Sequence, residues 1–497
     1  MENGKQLIKL PNGWINAKLE DISKQITDGS HNPPKSVKSG IPMLSARNIN
    51  NGNITFDEVR YITNEEFKYE NQRTKIEHGD VLLTIVATIG RTAIVSNNIK
   101  SDFTLQRSVA AIKPLINSSF LMYCFQSPLF QKQLTKNAKG TAQKGVYLRT
   151  LRSLEIPLAP LKEQARIVSK IEYLFSELDQ AENGLKKAKQ QLKFYRQVIL
   201  KNAFTNSTVK RSKLGECVSK IGLRIKPDKK SKYKFIGLDS ISPNSLKLHQ
   251  IHEYSNFSSS GIRFNKGDIL YSRMRPNLNK VYIADFDGVC SGEFFVLKCS
   301  DSLDADFLKY LLHSTDFVEY ATNKAKGDRP RLSYGDFASY EINLISKIKQ
   351  VRIVEDIDVK FSLIDNLENT INKSIKSIES TRNSILKQAF DGKLVLQEPN
   401  DESAIELLKR IKVEKEKYLS KQLEFKKKHS KKTMKMSKLL NIEDILKTSK
   451  KPMLAKDVWQ NSKHKNDIES FYAELKELGE KVTEIKEGLN SLLILKQ

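Results

Sequence analysis

Apolar residues recur every seven positions along two long stretches of the chain. In the first stretch a stripe of leucine and isoleucine is accompanied by a second row, three residues after each of its first four members. The stripe consists of Ile171, Leu178, Leu185, Leu192 and Ile199, and the second row of Leu174, Ala181, Ala188 and Tyr195. This spacing predicts a long amphipathic helix over residues 161–206, with the two rows forming a coiled-coil seam.

The second stretch repeats the stripe but not its companion row. The stripe here consists of Ile357, Ile364, Ile371, Ile378 and Ile385, whereas the companion row is Lys360, Leu367, Ser374 and Thr381. A helix is predicted over residues 347–396. Since burying each Leu or Ile side chain contributes about 2 kcal/mol, each helix needs a partner. The natural partner is the other helix; packing of each helix on its own globular unit is the alternative.

The two helical stretches belong to a larger internal repeat. Residues from Gln164 onwards align without a gap with residues from Gln350 onwards, at an offset of 186. The segments before the helices repeat more faintly, with 79–95 matching 267–283 and 151–158 matching 336–344. One structural unit is therefore used twice.

The remaining segments predict compact domains. Residues 1–160 (domain 1) and 207–346 (domain 2) mix short β-branched strands, Asn/Gly turns and short helices, which indicates a mixed α/β fold for each. Residues 397–438 predict a basic helix and linker. Residues 439–497 predict a small module, for which a winged helix and a simple helical bundle both fit the order of amphipathic segments.

The charge of the chain indicates a polyanionic partner. Its 84 Lys and Arg against 58 Asp and Glu give a net charge of +26, which favours nucleic acid binding through counterion release. Part of this excess is local, because residues 409–438 hold 13 Lys and Arg against three Glu. That segment is interpreted as a solvated helix and linker in preference to a dedicated DNA-binding arm.

Loops rich in Lys, Arg and Gln occur at matching places in the two copies. They span residues 137–149 in the first copy and 323–336 in the second, and the alignment sets Gln143 and Lys144 against Arg329 and Arg331. Arg can bind guanine and Gln can bind adenine in the major groove, while Lys binds phosphate. The predicted DNA-contacting residues are Lys35, Arg47, Arg91, Gln143, Lys144, Arg149, Arg273, Arg275, Lys280, Arg329 and Arg331.

The sequence does not contain a recognisable catalytic or metal-binding motif. The tripeptide Asn32-Pro33-Pro34 begins like the loop of an adenine methyltransferase, but Lys35 follows where an aromatic residue must stack on the flipped base. The tripeptide is interpreted as a turn, and His31 is not assigned as a base. A GxxxxGK[ST] loop, a CxxC pair and an HExxH motif do not occur in the sequence. Asp358-Val359-Lys360, the nearest match to a nuclease signature, falls on the predicted second helix.

The sequence further predicts a cytoplasmic protein. The segment MENGKQLIKL lacks the apolar core of a signal peptide, and the apolar run at 81–90 is too short to cross a bilayer. The scattered cysteines Cys124, Cys217, Cys290 and Cys299 are expected to be mostly buried thiols in a reducing compartment.

Taken together, these stretches resemble the specificity subunit of type I restriction-modification systems. The resemblance rests on DGSHNPPKSVKSGIPMLSARNINNGNI, TIGRTAIV, KGTAQKGV and IPLAPLKEQARIV, and it covers residues from about 10 to 400. It implies an α+β architecture with two target recognition domains separated by two long helices that form an antiparallel coiled coil. Each domain would read one half of a bipartite site in double-stranded DNA.

The same resemblance implies a non-catalytic chain that works with partners. Two methyltransferase (M) subunits and restriction (R) subunits would dock around this frame, with no membrane involved. S-adenosylmethionine, ATP and Mg would be bound by those partners. Two other classes stay open: a coiled-coil scaffold that binds polyanions without sequence preference, and an enzyme fused to recognition domains, for which no catalytic motif is found.

Overall fold

The computed structural model describes residues 10–50, 52–99, 102–140, 143–205, 211–227, 233–436, 440–449, 451–465, 467–487 and 490–496. The chain divides into two compact units. The first contains the chain up to Ile171 together with Leu386 onwards, and the second contains Glu172–Ile385. Both boundaries fall inside long helices, so each unit holds one mixed domain and parts of both helices.

Domain 1 contains short strands and helices that lead into the first long helix. In chain order these are β1 Ile15–Lys18, β2 Ser23–Asp28, β3 Ile41–Leu44, β4 Ile49–Asn50, β5 Asn53–Ile54, β6 Arg60–Ile62, α1 Asn64–Thr74, β7 Val81–Thr84, β8 Thr92–Ile94, β9 Thr104–Leu105, β10 Val109–Pro114, α2 Ser118–Gln126, α3 Pro128–Asn137, α4 Leu148–Arg152, β11 Glu155–Leu158 and α5 Leu161–Thr205.

Domain 2 leads in the same way into the second long helix. Its elements are β12 Arg211–Lys213, α6 Leu214–Cys217, β13 Val218–Ile221, β14 Arg224–Ile225, β15 Lys234–Ile236, β16 His252–Glu253, β17 Gly261–Phe264, β18 Ile269–Ser272, β19 Val281–Ile283, β20 Gly288–Cys290, β21 Phe294–Cys299, α7 Ala305–His313, α8 Thr315–Lys324, α9 Tyr334–Ala338, β22 Glu341–Asn343 and α10 Lys347–Phe390.

The sheets reproduce the sequence repeat. The main sheet has the order β2-β10-β7-β8 in domain 1 and β13-β21-β18-β19 in domain 2, and the pairs β1-β11 and β12-β22 correspond as well. The second sheets differ, being β6-β3-β9 in domain 1 and β14-β17-β20-β15-β16 in domain 2. The two copies therefore share the part next to the long helices and diverge in the sheet beyond it.

A buried glutamine fixes each long helix to its own domain. The Gln164 amide donates to the Ala159 carbonyl at 2.8 Å and accepts from the Asn117 backbone N–H at 3.2 Å. Gln350 repeats this, donating to Ile345 at 2.8 Å and accepting from Asp304 at 2.8 Å. Both side chains belong to fully buried residues. The recurrence of this glutamine in the sequence is thus explained by the same pair of contacts in each copy.

The two long helices pair in antiparallel fashion within the second unit. Lys189 of α5 donates to Asn372 of α10 at 2.7 Å, and Arg382 of α10 reaches Asp179 of α5 at 2.5 Å. Partner numbers fall on one helix as they rise on the other, which defines the antiparallel direction. The α5–α10 pairing confirms the predicted α+β architecture with an antiparallel helix pair.

The two apolar stripes are buried to different degrees. Ile357, Ile364, Ile371, Ile378 and Ile385 are all at most 9% exposed, and Ile171 and Ile199 are buried, whereas Leu178, Leu185 and Leu192 are half-buried. The predicted companion row is wrong in part, because Ala181 and Tyr195 are exposed. Glu182, Lys189 and Arg196, four residues after a stripe member, are half-buried instead and make polar contacts across the pair.

The second long helix ends at Phe390, six residues before the predicted end. Gly392 adopts a positive φ of +67°, and a Cβ at this position would lie 2.0 Å from the Pro11 ring. A left-handed glycine just after the last turn terminates the helix. The chain then forms α11, Ala404–Met436, whose Leu407 and Ile411 are buried.

The C-terminal module has winged-helix topology. Its elements are α12 Ile442–Lys447, β23 Met453–Leu454, α13 Ala455–Asn461, α14 Ile468–Leu478, β24 Val482–Glu487 and β25 Asn490–Leu495. The three strands pair in the order β23-β25-β24 around a core that includes Val458, Phe471 and Leu493. Of the two arrangements that fit the sequence, the sheet selects the winged helix over the helical bundle.

Three of the four cysteines, Cys124, Cys217 and Cys290, are buried, and Cys299 is partly buried. Burial raises the pKa of Cys299 to about 12, so these thiols pack as small apolar groups. Within the described ranges, none of the helices combines the length and hydropathy of a bilayer-spanning segment.

Candidate nucleic-acid interface

In domain 1, the loop after β7 and the loop after α3 are joined by backbone hydrogen bonds. The Val146 N–H donates to the Ile85 carbonyl at 2.8 Å, and the Ala87 N–H donates to the Lys144 carbonyl at 3.1 Å. Lys139 and Gly145 exchange two hydrogen bonds of 2.8 Å. We call residues 85–91 and 138–147 the paired loops of domain 1, of which residues 141 and 142 lie outside the described ranges.

Domain 2 builds the same arrangement from a different sequence. The Leu332 N–H donates to the Arg273 carbonyl at 2.9 Å, and the Arg275 N–H donates to the Pro330 carbonyl at 2.7 Å. Lys326 and Arg331 exchange hydrogen bonds of 3.1 and 3.0 Å. Residues 273–279 and 325–332 are the paired loops of domain 2.

The correspondence extends to backbone conformation. Ala87 and Arg275, which make equivalent hydrogen bonds, have positive φ angles of 64° and 51°. Non-glycine residues hold this conformation only where the surroundings impose it. The two domains thus present one backbone scaffold with different side chains.

The equivalent hydrogen bonds correct the residue pairing that the sequence predicted between the loops of the two domains. Arg331 stands at the position of Gly145, and Pro330 at the position of Lys144. Gln143 then corresponds to Arg329, as the alignment has it. Both Gln143 and Arg329 are exposed, so the same loop position carries an amide side chain in domain 1 and a guanidinium in domain 2.

Arg331 is held by an acidic residue that the sequence analysis did not select. Its Nη2 donates to Glu293 Oε1 at 2.8 Å, its Nε lies 3.0 Å from Oε2, and its Nη1 reaches the Arg329 carbonyl at 3.3 Å. The hydrogen bond from Arg331 lowers the pKa of Glu293, and the charges of Arg331, Arg273 and Arg329 lower it further. Arg331 therefore braces the loop that carries Arg329.

The other two arginines in the paired loops of domain 2, Arg273 and Arg275, differ in how strongly their side chains are restrained. Arg273 is half-buried, and its guanidinium lies over the Phe295 ring at 5.6 Å, an arrangement that restrains it. Arg275 is exposed, and its backbone N–H makes the hydrogen bond to Pro330 that joins the two loops. Of the four arginines in the paired loops of domain 2, Arg275 and Arg329 are the exposed ones, and their contact with DNA stays a prediction.

Lys280 lies inside domain 2. It is 9% exposed, and its ammonium donates to the Leu238 carbonyl at 2.5 Å. Burial lowers its pKa. Since this contact accounts for the side chain, we leave Lys280 out of the proposed interface.

The other predicted residues of domain 1 lie on separate surface segments. Arg91 donates to Asn50 at 2.6 Å, and Asn50 donates to the Arg47 carbonyl at 3.0 Å, so these two arginines are linked. Arg47 also pairs with Glu58 at 3.1 Å. Arg149 is exposed on α4, and Lys35 is exposed on a loop whose Pro34 carbonyl accepts from Arg60 at 3.1 Å. Their contact with DNA stays a prediction.

The segment that begins like a methyltransferase loop is exposed and irregular at Asn32 and Pro33. His31 is tied to Asp28 at 2.7 Å. This geometry is consistent with a turn.

One pair of cations was missed although the sequence carries it. Ala138-Lys139-Gly140 recurs as Ala325-Lys326-Gly327, and both lysines are exposed. Both glycines have positive φ, 120° and 93°, so the repeated tripeptide marks the same turn in each domain. Comparing the loops for identity as well as for difference would have found it.

The comparisons with known proteins agree with this architecture. The family model described as the type I restriction modification DNA specificity domain matches residues 11–190 and 206–377. The chain is 23% identical over 456 residues to the EcoKI specificity subunit of Escherichia coli strain K12, which spans 82% of this chain and 96% of that protein. It is 31% identical over 203 residues to the Escherichia coli EcoBI specificity subunit, across 40% of this chain and 42% of the relative's length.

A solved structure from work on the assembly and conformational transition of the type I R-M system has a similar fold. It is 20% identical, superposes with a TM-score of 0.60, and covers 78% of this chain and 99% of its own. The family model covers well over half of the residues and matches twice, once per repeat. The chain therefore belongs to the family of type I restriction-modification specificity subunits.

Proposed function

We propose that this chain reads a bipartite DNA target with two unlike halves, one through the paired loops of each domain. The observation that carries the proposal is the shared loop scaffold with different side chains: Gln143 in domain 1 and Arg329 in domain 2 stand at the same place on equivalent backbones. A common scaffold gives both domains a similar approach to the duplex, and the exchanged side chains give each a different preference.

The chemistry divides into shared and distinct contacts. Lys139 and Lys326 occupy equivalent exposed positions and would bind phosphates, which carry no sequence information. Arg275 and Arg329 would donate to guanine, and Gln143 would bind adenine. The net charge of +26 supports the phosphate contribution.

The helix pair would set the spacing between the half-sites. Support comes from the internal repeat and from two equivalent ion pairs between α5 and α10, Arg196 with Asp365 and Arg382 with Asp179. They give the pair the symmetry expected of a frame that presents two domains to one duplex. In this view the length of the pair determines the number of base pairs left unread between the halves.

Catalysis would reside in partners. Relatives in this family are named as specificity subunits of restriction enzymes, so we assign to this chain the positioning of two methyltransferase subunits and of restriction subunits on the DNA in the cytoplasm. S-adenosylmethionine, ATP and Mg would be bound by those subunits.

The winged-helix module would dock a protein and not DNA. Residues 440–497 contain ten Lys and ten Asp or Glu, in contrast to the strongly basic chain as a whole. Helix α14, in the place of a recognition helix, carries Glu469, Glu474 and Glu477 against Lys476. This acidic helix would be repelled by phosphates.

The alternative is a scaffold that binds polyanions without sequence preference. The unlike side chains on equivalent loops favour sequence reading over this alternative. Single-molecule sequencing of methylated adenines in the host genome, with and without this gene, tests the proposal. We expect one asymmetric bipartite motif to lose methylation when the gene is absent; an unchanged methylome in a host whose methyltransferase subunits are expressed would contradict the proposal.

A further inference from the structure

A cavity of about 630 Å³ lies in the second unit, where the end of α5 meets the start of α10. Its lining is partly apolar and partly charged. Phe204, Leu311 and Ile353 contribute apolar surface. The charged lining residues are three cations, Arg211, Lys349 and Arg352, and two carboxylates, Asp316 and Glu341.

The corresponding surface of the first unit is covered by the chain itself. Residues 391–411, which we call the covering segment, follow α10 and run along domain 1. The Gln397 amide donates to the Asn12 carbonyl at 2.8 Å, and the Ala404 N–H donates to the Gly13 carbonyl at 2.8 Å. Asp401 pairs with Arg166 at 2.6 Å, with 7% of the aspartate side chain exposed.

The two surfaces are equivalent by sequence and by geometry. Arg352 lies 186 positions after Arg166, the offset of the repeat. The ring centroids of Phe120 and Phe390 are 5.2 Å apart in the first unit, and those of the equivalent Phe307 and Phe204 are 5.1 Å apart in the second.

The two surfaces differ in how far the described residues cover them. Ile167, Ala389 and Phe390 in the first unit are at most 1% exposed. Their equivalents Ile353, Ala203 and Phe204 are each partly exposed. Among the described residues, which leave out 206–210 after α5, the cavity is thus the equivalent surface without a covering segment. Covering its apolar wall would contribute binding free energy.

We propose that this cavity is a docking groove for an extended acidic and apolar segment of a partner protein. An acidic side chain of that segment pairs with Arg352, as Asp401 pairs with Arg166, in a charge-assisted hydrogen bond. Lys349 stands where the first unit has Glu163, which makes this groove more favourable to an acidic ligand than its counterpart. The covering segment of a second copy is already engaged on its own domain, so the occupant is a different protein. This site goes beyond DNA reading.

The test uses the full chain and a fluorescent peptide of residues 391–411 as the probe. We expect saturable binding by fluorescence anisotropy, weakened about tenfold or more by Arg352→Glu in the chain. A peptide with Asp401→Lys is expected to bind the Arg352→Glu chain better than the original peptide does. That recovery also shows that the variant chain is folded.

The matched control is Arg166→Glu, at the equivalent position of the first unit. Peptide binding that is unaffected by Arg352→Glu but lost with Arg166→Glu would mean exchange with the covering segment on domain 1, and it would overturn the proposal. Absence of binding to the unaltered chain would overturn it as well.

Discussion

Arg196 of α5 contacts Asp365 of α10, and 186 residues further on Arg382 of α10 contacts Asp179 of α5. Each arginine also reaches a second carboxylate, Glu368 at 3.5 Å or Glu182 at 3.4 Å. Each guanidinium lies over a phenylalanine ring, Phe361 at 5.0 Å for Arg196 and Phe175 at 5.1 Å for Arg382. One cluster therefore occurs twice, related by a pseudo-two-fold axis through the helix pair.

The duplicated cluster predicts equal couplings at its two ends. Double-mutant cycles of Arg196→Ala with Asp365→Ala and of Arg382→Ala with Asp179→Ala should each give a coupling free energy of about 0.5–1 kcal/mol in urea unfolding, as expected for partly exposed ion pairs. Lys247 also pairs with Asp365 at 2.9 Å, but its contribution cancels within the cycle. Lys187→Ala, at an exposed position of α5, serves as the control. Couplings near zero, or present at one end only, would contradict the symmetric pairing.

A second prediction concerns the length of the helix pair. Seven residues inserted after Ala188 and seven after Ser374 lie at equivalent positions of the repeat and add about 10 Å to each helix, at about 1.5 Å per residue. We expect the methylated motif to keep both halves and to gain a spacer longer by about three base pairs. Methylome sequencing of cells that carry the altered chain measures this.

The control for that prediction is the same insertion in α5 alone. It should break the register that joins Lys189 to Asn372 at 2.7 Å, and methylation of the motif should be lost. An unchanged spacer with both insertions would count against the role of the helices in setting the distance.

The long helices could be predicted from sequence because a seven-residue stripe is a direct consequence of helical geometry. The row of residues that flanks the stripe could not be predicted, because positions three and four residues after a stripe member both lie beside it on a helix. The structure places the cross-helix contacts four residues later, at Glu182, Lys189 and Arg196. The end of α10 depends on the approach of Gly392 to Pro11, which is distant in sequence. The role of Arg331 depends likewise on Glu293, 38 residues earlier.

Alanine substitution of Arg329 or of Gln143 should affect the reading of one half-site only. Arg329→Ala is expected to relax reading at one base pair of one half, at a cost of about 1–3 kcal/mol in discrimination, and Gln143→Ala should act on the other half. Competition binding with DNA libraries randomised in each half, in the presence of the methyltransferase subunits, measures this. Equal losses at both halves from Arg329→Ala would mean that this side chain holds phosphate.

The equivalent lysines should behave in the opposite way. Lys139→Ala and Lys326→Ala are each expected to weaken binding to all sequences alike and to reduce the slope of log K against log salt by about one. Titrations over a series of salt concentrations, with matched and mismatched duplexes, separate this effect from specificity. A change in base preference without a change in salt slope would assign these lysines to the bases.

The ion pair between Glu293 and Arg331 should make domain 2 sensitive to acid. The hydrogen bond from Arg331 lowers the pKa of Glu293 below its ordinary value of 4.5, so the pair contributes stability that is fully present above that value and is lost as the pH falls through the lowered pKa. Glu293→Gln removes the contribution at neutral pH. We expect the variant to have a lower Tm than the unaltered chain at about pH 7, with the difference shrinking as the pH falls below 4.5.

The expected change in DNA reading follows from the same contact. Because Arg331 braces the loop that carries Arg329 through their 3.3 Å hydrogen bond, Glu293→Gln should weaken reading of the domain 2 half-site and leave the domain 1 half-site unchanged. In domain 1, Ser108 corresponds to Glu293. The Ile85 N–H donates to the Ser108 carbonyl at 2.9 Å, as the Arg273 N–H donates to the Glu293 carbonyl. Ser108→Ala keeps that carbonyl and removes the hydroxyl, which accepts from the Ala46 N–H at 3.1 Å. It is the matched control because any effect it has on reading should be confined to the domain 1 half-site. A Tm difference that stays constant from neutral to acid pH would show that the charge of Glu293 does not support the loop.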